Sequence, residues 1–493
     1  MMRYKKYSDI PISLIKTAEL TPKSSLYRQN FHIEPSSGYL NDPNGWSYFN
    51  GKYHLFYQWS PLRYVGNSEV WYQGWFHMIS EDLVHWEALG PGIEPDSVYD
   101  SHGAYSGSAI EDNDQLLIFY TGNTRDKDWV RIPYQMTATM DKDGRISKNK
   151  TPGFTGLIPG YTDHFRDPKI WKEQNAYYAI VGIQRENKTG TCMVLKSDDA
   201  IHWDALGEIQ TKLTQFGYMW ECPDYFELGN QGVLIFSPQG LTAEGDKYQN
   251  IYQTGYLVGD PLNRESLQFN HGEFHELDLG FDFYATQTMI SPDGRRILSA
   301  WMGLPEINYP TEKFGYCGCL TIPRELNIKE GKLIQQPIEE LKQLRYDHKQ
   351  FHETINTNEY FMLETGALFE LAVTIEFKKS TKLSLGIRAD KQNEARTLIE
   401  VDKNANEIRI DRSQSGASFA EEYGTTRTIP CTISNETKLQ IFVDQSSIEI
   451  FINGGESVAS GRIFPNEDQN YLFIESTDGD SAVQLDYWKL TKC

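Results

Sequence analysis

Residues 50–58, NGKYHLFYQ, set a polar turn against a short apolar, aromatic-rich run, and the same arrangement returns four times. It stands again at 113–122 (NDQLLIFYTG), 174–182 (QNAYYAIVG), 230–240 (NQGVLIFSPQG) and 293–303 (DGRRILSAWMG), at spacings of 56 to 63 residues. Each run has the length and the β-branched and aromatic content of a strand, and turn residues precede it. A second element, SEDLVHWEAL at 80–89, recurs as SDDAIHWDAL at 197–206, two periods later. Five units of about 60 residues, each with room for several short strands, predict a five-bladed β-propeller.

Outward from this repeat the pattern changes. After residue 325 the stretch RELNIKEGKLIQQPIEELKQLR carries Leu341 and Leu344 at helical spacing, which predicts a linker over 326–350. From 351 to 493, alternating segments such as FELAVTIEF, KLSLGIRAD, KLQIFVD and SIEIFIN, separated by turn residues, predict a β-sandwich. The expected fold is therefore all-β: an N-terminal extension over 1–27, a propeller over 28–325, the linker, and the sandwich.

The chain has 493 residues and a formal net charge of −21. Such an acidic balance argues against nucleic acid or an anionic membrane surface as a partner, since either would be repelled before specific contact. Mean hydropathy is −0.54, an ordinary globular value. No apolar run approaches the roughly 18 residues of a membrane span, and the apolar stretch PISLI near the N-terminus is too short for an export signal. Cys192, Cys222, Cys317, Cys319, Cys431 and Cys493 are too sparse for a disulfide framework and fit a reducing compartment, so a cytoplasmic protein is expected.

In a propeller the first strand of each blade lines the central axis. Seven to nine residues before the five turns stand Asp42, Ser106, Asp167, Glu221 and Tyr284. Three carboxylates around one axis repel one another, a cost usually kept for function. A metal site is one explanation, although no dedicated ligand loop is present, and neither a metal nor another cofactor is expected. Glycoside cleavage is the other, with one carboxylate attacking the anomeric carbon and a second protonating the leaving oxygen. Trp59, Trp71, Trp75, Trp220 and Trp301 lie in or beside these motifs, where flat rings could stack on sugar faces.

At these residues the sequence resembles glycoside hydrolase family 32, the β-fructofuranosidases, and most of all the branch that acts on sucrose 6-phosphate. The motifs that carry the resemblance are LNDPNG with GKYHLFYQ following, YSGSA, FRDPK, GYMWECPD, DFYATQ, IPREL and VDQSSIEIFIN, spread over nearly the whole chain. The resemblance implies a five-bladed propeller joined to a β-sandwich. It makes Asp42 the nucleophile, Glu221 the general acid/base and Asp167 the transition-state stabiliser. It further implies substrate contacts by Asn41, Gln58, Trp75, Ser106, Arg166, Tyr284 and Trp301. Where many members have Trp-Gly-His, this chain has Trp75-Phe76-His77.

The reaction implied is a retaining double displacement that releases fructose from sucrose 6-phosphate or sucrose. For the phosphate, the loops bordering the entrance carry Arg63, Arg125, Lys127, Arg131, Arg185, Lys188 and Lys247, a cationic rim on an acidic chain. A general invertase or fructan hydrolase without phosphate preference is the alternative, and a non-catalytic fructoside-binding propeller a more distant one.

Overall fold

The structure is a computed structural model that describes residues 2–65 and 70–492, so Cys493 lies outside the described residues. Five antiparallel sheets of four or five strands follow one another along the chain as far as Pro337. They open on the strands Gly38–Phe49, Ala104–Asp112, Tyr161–Glu173, Met219–Leu228 and Tyr284–Ile290. These opening strands touch in cyclic order, the fifth returning to the first, and so enclose an axis as in a propeller.

The repeated runs form the second strand of each sheet, Lys52–Ser60 being the first of them. The turns ahead of them share a backbone feature: Asn50, Asn113 and Gln174 have φ of +49°, +47° and +52°, a left-handed conformation that asparagine tolerates best among residues with a side chain. The 80–89 and 197–206 repeats form the corner between third and fourth strands in the first and third sheets. In each corner an aspartate, Asp82 or Asp199, accepts two backbone N–H bonds. The ring is fastened where Tyr316–Cys317 joins the first sheet parallel to Gly38–Tyr39, on an excursion between the second and third strands of the fifth sheet.

The expected linker is corrected. Strands Arg324–Lys329 and Lys332–Pro337 complete the fifth sheet, and Leu341 and Leu344 lie buried in a 3₁₀ turn, Glu339–Leu344, directly ahead of the strand Arg345–Ile355. RELNIK and KLIQQP are short and alternate apolar with polar residues, so they lack the continuous apolar run that marks the second strands. Two six-stranded sheets follow and bury between them an aliphatic core that includes Leu371, Val373, Ile399, Ile441 and Leu485. At the other end of the chain, Met2–Arg3 runs parallel to Val70–Trp71 of the first blade, ahead of the helix Ile12–Leu20.

The two halves meet through buried charge. His32, just before the first blade, is 2.9 Å from Asp444 Oδ2 and 2.9 Å from Glu449 Oε1, both on the sandwich. Glu449 also accepts from Arg324 Nη2 at 2.6 Å, and Arg324 reaches Asp278 at 3.1 Å. Thus the IPREL and VDQSSIEIFIN motifs meet each other at the junction of propeller and sandwich. The two carboxylates hold the His32 imidazolium, whose pKa is raised to about 9 against the opposing effect of burial.

Candidate active site

All five opening strands break register at the same level. The pairs Leu40/Pro43, Ala104/Gly107, Arg166/Lys169, Glu221/Asp224 and Tyr284/Gln287 each span one residue more than the partner strand does. Such a bulge bends the strand and re-aims its side chains. Three of the bulges carry a left-handed residue, Asp167 at φ +69°, Cys222 at +46° and Ala285 at +52°.

This corrects the expectation of equivalent positions. Asp42 and Ser106 are the second residues of their bulges and Asp167 the first of its own, whereas Glu221 and Tyr284 are the last paired residues before theirs. The side chains converge nonetheless. Cys222 binds two of the carboxylates, its backbone N–H donating to Asp167 Oδ2 at 3.1 Å and its thiol to Asp42 Oδ2 at 3.6 Å, while Glu221 precedes it in the chain.

Each carboxylate has its own setting. Asp42 accepts from Ser106 Oγ at 2.5 Å and from Asn41 Nδ2 at 3.1 Å. Burial, helped by the Glu221 charge, raises its pKa to about 6 against these donors. Burial also raises Asp167, with the charges of Glu221 and Asp42 adding to it and Arg166 opposing. Glu221 is held entirely by donors: Arg166 Nε and Nη2 reach Oε1 at 2.9 and 2.5 Å, and Tyr284 OH and Gln239 Nε2 reach Oε2 at 2.6 and 2.8 Å.

Arg166, next to Asp167 in the chain, keeps its guanidinium 4.0 Å from that carboxylate and forks onto Glu221 instead. Its other face meets His164 Nδ1 at 2.8 Å, and Arg131 Nη1 reaches the same nitrogen at 3.3 Å. An imidazole accepting from two guanidiniums stays neutral, and burial with the two arginines lowers the pKa of His164 to about 4. Below the carboxylates the axis is filled: Lys169 binds Asp224 and Gln287, each at 3.1 Å, and Gln287 donates to Gly107 O.

The remaining expected residues divide. Trp301 stands edge-on to Tyr284, with ring centroids 6.4 Å apart. Gln58 Oε1 accepts from Gln73 Nε2 at 3.3 Å, and among the described residues Gln58 makes no hydrogen bond to the three carboxylates. Trp75 is corrected: it is fully buried between the first and second sheets, packed on Phe56 and Tyr120 with its indole N–H on Tyr105 O, and is a core residue. Gln239, His164 and Thr121, which accepts the Asp167 N–H, were missed. Gln239 could have been found, since it closes the fourth repeated run.

Among the rim cations, Arg185 is taken up by Glu208 at 2.5 Å, which removes it as a free phosphate ligand. Arg63 lies over the Tyr39 ring at 4.0 Å. Lys127, Lys188 and Lys247 are exposed. Arg125 and Arg131 face each other directly across the second sheet.

Comparison with known proteins agrees with this geometry. Residues 32–337 match the glycosyl hydrolases family 32 N-terminal domain and residues 339–489 the family 32 C-terminal domain. A sucrose-6-phosphate hydrolase of Staphylococcus xylosus is 44% identical over 99% of this chain and 97% of its own length. The structure of sucrose-6-phosphate hydrolase from Lactobacillus gasseri superposes with a TM-score of 0.91 at 37% identity, covering 99% of this chain and 98% of that one. A Bombyx mori GH32 beta-fructofuranosidase, solved as a variant in complex with sucrose, gives 0.83 at 30% identity, with 99% of both chains covered. The chain is a glycoside hydrolase and belongs to glycosyl hydrolases family 32.

Proposed function

We propose that this enzyme hydrolyses sucrose 6-phosphate, and less readily sucrose, by a retaining double displacement. Asp42 attacks fructose C2 while Glu221 delivers a proton to the glycosidic oxygen. Water, deprotonated by Glu221, then releases fructose from the fructosyl-enzyme. Asp167, at its bulge, binds fructosyl hydroxyls as positive charge develops on the ring.

The observation that carries the reading is the convergence of Asp42, Asp167 and Glu221 with a single guanidinium, that of Arg166, forked onto Glu221. All four contacts to Glu221 are donors, so it can hold a proton only if one of them gives way. The Tyr284 hydroxyl can turn and accept, which makes it the natural partner of the protonated acid. The phosphorylated substrate is supported by the sucrose-6-phosphate hydrolases at 44% and 37% identity and by Arg125 and Arg131, which stand opposite each other and form no ion pair among the described residues. A cell meets such a sugar after uptake with phosphorylation, which supports a cytoplasmic enzyme. No helix among the described residues is long and apolar enough to cross a membrane. In this reading the sandwich is a scaffold braced on the propeller by His32 and Arg324.

The test is turnover of Asp42→Asn and Glu221→Gln on sucrose 6-phosphate, with folding checked by circular dichroism. Losses of several orders of magnitude in both folded variants are expected. Turnover like that of the wild type in either one rejects the assignment.

A further inference from the structure

Arg125 and Arg131 stand directly opposite each other at the base of the hairpin that joins the second and third strands of the second sheet. Like charges in that position destabilise a sheet. Among the described residues neither forms an ion pair, although the chain as a whole is strongly acidic. Asp126, next to Arg125, turns Oδ1 to the backbone N–H groups of Asp128 and Val130, at 2.9 and 2.8 Å, which shape the hairpin tip, and Asp163 acts on Arg131 without forming an ion pair with it. Arg131 Nε is buried without a hydrogen-bond partner.

A third unpaired arginine arrives from the far end of the sequence. The Met2–Arg3 strand is laid along Val70–Trp71, and the Tyr4 N–H donates to Trp71 O at 3.0 Å. This brings Arg3 over the Trp129 ring at 5.2 Å and onto His102 Nε2. With Nε2 accepting, the ring proton of His102 lies on Nδ1, 3.1 Å from Ser101 Oγ. His102 is therefore neutral, and burial, with the charges of Arg3 and Arg125 adding to it, lowers its pKa. Trp129, 58% exposed, packs on His102 at 5.5 Å and forms an open aromatic wall beside the arginines.

Glu221, which must protonate the glycosidic oxygen, is linked through Arg166 and His164 to Arg131, so the cluster adjoins the residue that serves the leaving group.

We propose that Arg3, Arg125 and Arg131 form the subsite for the phosphate of the leaving sugar, with Arg3 contributed by the N-terminal segment and aimed by His102 and Trp129. The inference rests on the β-fructofuranosidase reading given above. It adds that the N-terminal segment is part of the substrate site and sets its specificity. Guanidinium groups suit this task, since each can bind two phosphate oxygens at once.

The test compares kcat/KM on sucrose 6-phosphate and on sucrose for the full-length wild type, Arg3→Gln and Arg125→Gln, and measures inhibition of sucrose cleavage by inorganic phosphate. The ratio of the two kcat/KM values should fall about tenfold in each variant, and phosphate should inhibit each less strongly than it inhibits the wild type. A wild type that prefers the phosphorylated sugar, with the ratio unchanged in both variants, would overturn the inference and leave the reaction assignment standing. A wild type with no preference would overturn it as well. Release of fructose from neither substrate would instead remove the β-fructofuranosidase reading on which it rests.

Discussion

Arg166 grips Glu221 with two hydrogen bonds, at 2.9 and 2.5 Å, across two neighbouring opening strands, while its own chain neighbour Asp167 stays 4.0 Å away. The bulge explains the choice: Asp167 is left-handed, so its side chain and that of Arg166 leave the strand in directions that regular alternation would not give. One guanidinium thus fixes the acid/base and lends positive charge beside a second carboxylate.

Arg166→Lys replaces a fork with a point charge that cannot hold both geometries. We expect kcat to fall by about 10²–10³, with a changed pH profile, in steady-state kinetics on a folded variant.

Burial makes Asp42 costly to keep charged. Its pKa rises from an ordinary 3.8 to about 6 on folding, so the folded state takes up its proton more readily than the unfolded chain. A raised carboxylate favours folding at low pH and loses that contribution as pH climbs through about 6. Asp42→Asn removes the buried charge, so its thermal midpoint at pH 7 should exceed that of the wild type by a few degrees, and the gap should close below about pH 4. In the active wild type, the acid limb of kcat/KM should fall near pH 6. Ser106→Ala, which removes a donor to the carboxylate, should move that limb upward.

His32 has the same sign of pH dependence, at higher pH and in a different place. Its pKa, raised from 6.5 to about 9, means that its stabilisation is complete below 6.5 and disappears as pH rises through 9. Thermal melts should show stability declining over that window in the wild type and not in His32→Gln. At pH 6 the variant should be less stable by about 3–5 kcal/mol, because Asp444 and Glu449 would be left buried with a lost partner.

Trp75→Ala should act on folding. Emptying a fully buried indole site costs about 3–5 kcal/mol, measured by denaturant unfolding, and KM of the folded fraction should change little. A large rise in KM with stability intact would restore Trp75 to the substrate site.

The propeller was legible because its second strands combine a turn that needs left-handed residues with an apolar run, as at Asn50 and Asn113. Strands 324–329 and 332–337 were not, since each buries one face only and so alternates polar with apolar residues in place of a continuous apolar run. In the site, residue types were readable and their pairing was not. Arg166 finding Glu221, and Asp42 and Glu221 at different positions of their bulges, depend on backbone irregularities that no spacing rule records. His32 meets partners 412 and 417 residues away, a relation visible only after both domains have folded. Arg3 was passed over as part of a terminal extension, although it lies beside the hairpin whose arginines had been singled out.

The most direct measurement is kcat/KM on sucrose 6-phosphate and on sucrose, side by side, at low and high salt. The account predicts fructose release from both, a clear preference for the phosphorylated sugar, and a preference that shrinks as salt screens the arginines. Equal values at both salt concentrations would contradict the phosphate assignment, and cleavage of neither would contradict the assignment of Asp42, Asp167 and Glu221 to fructoside hydrolysis.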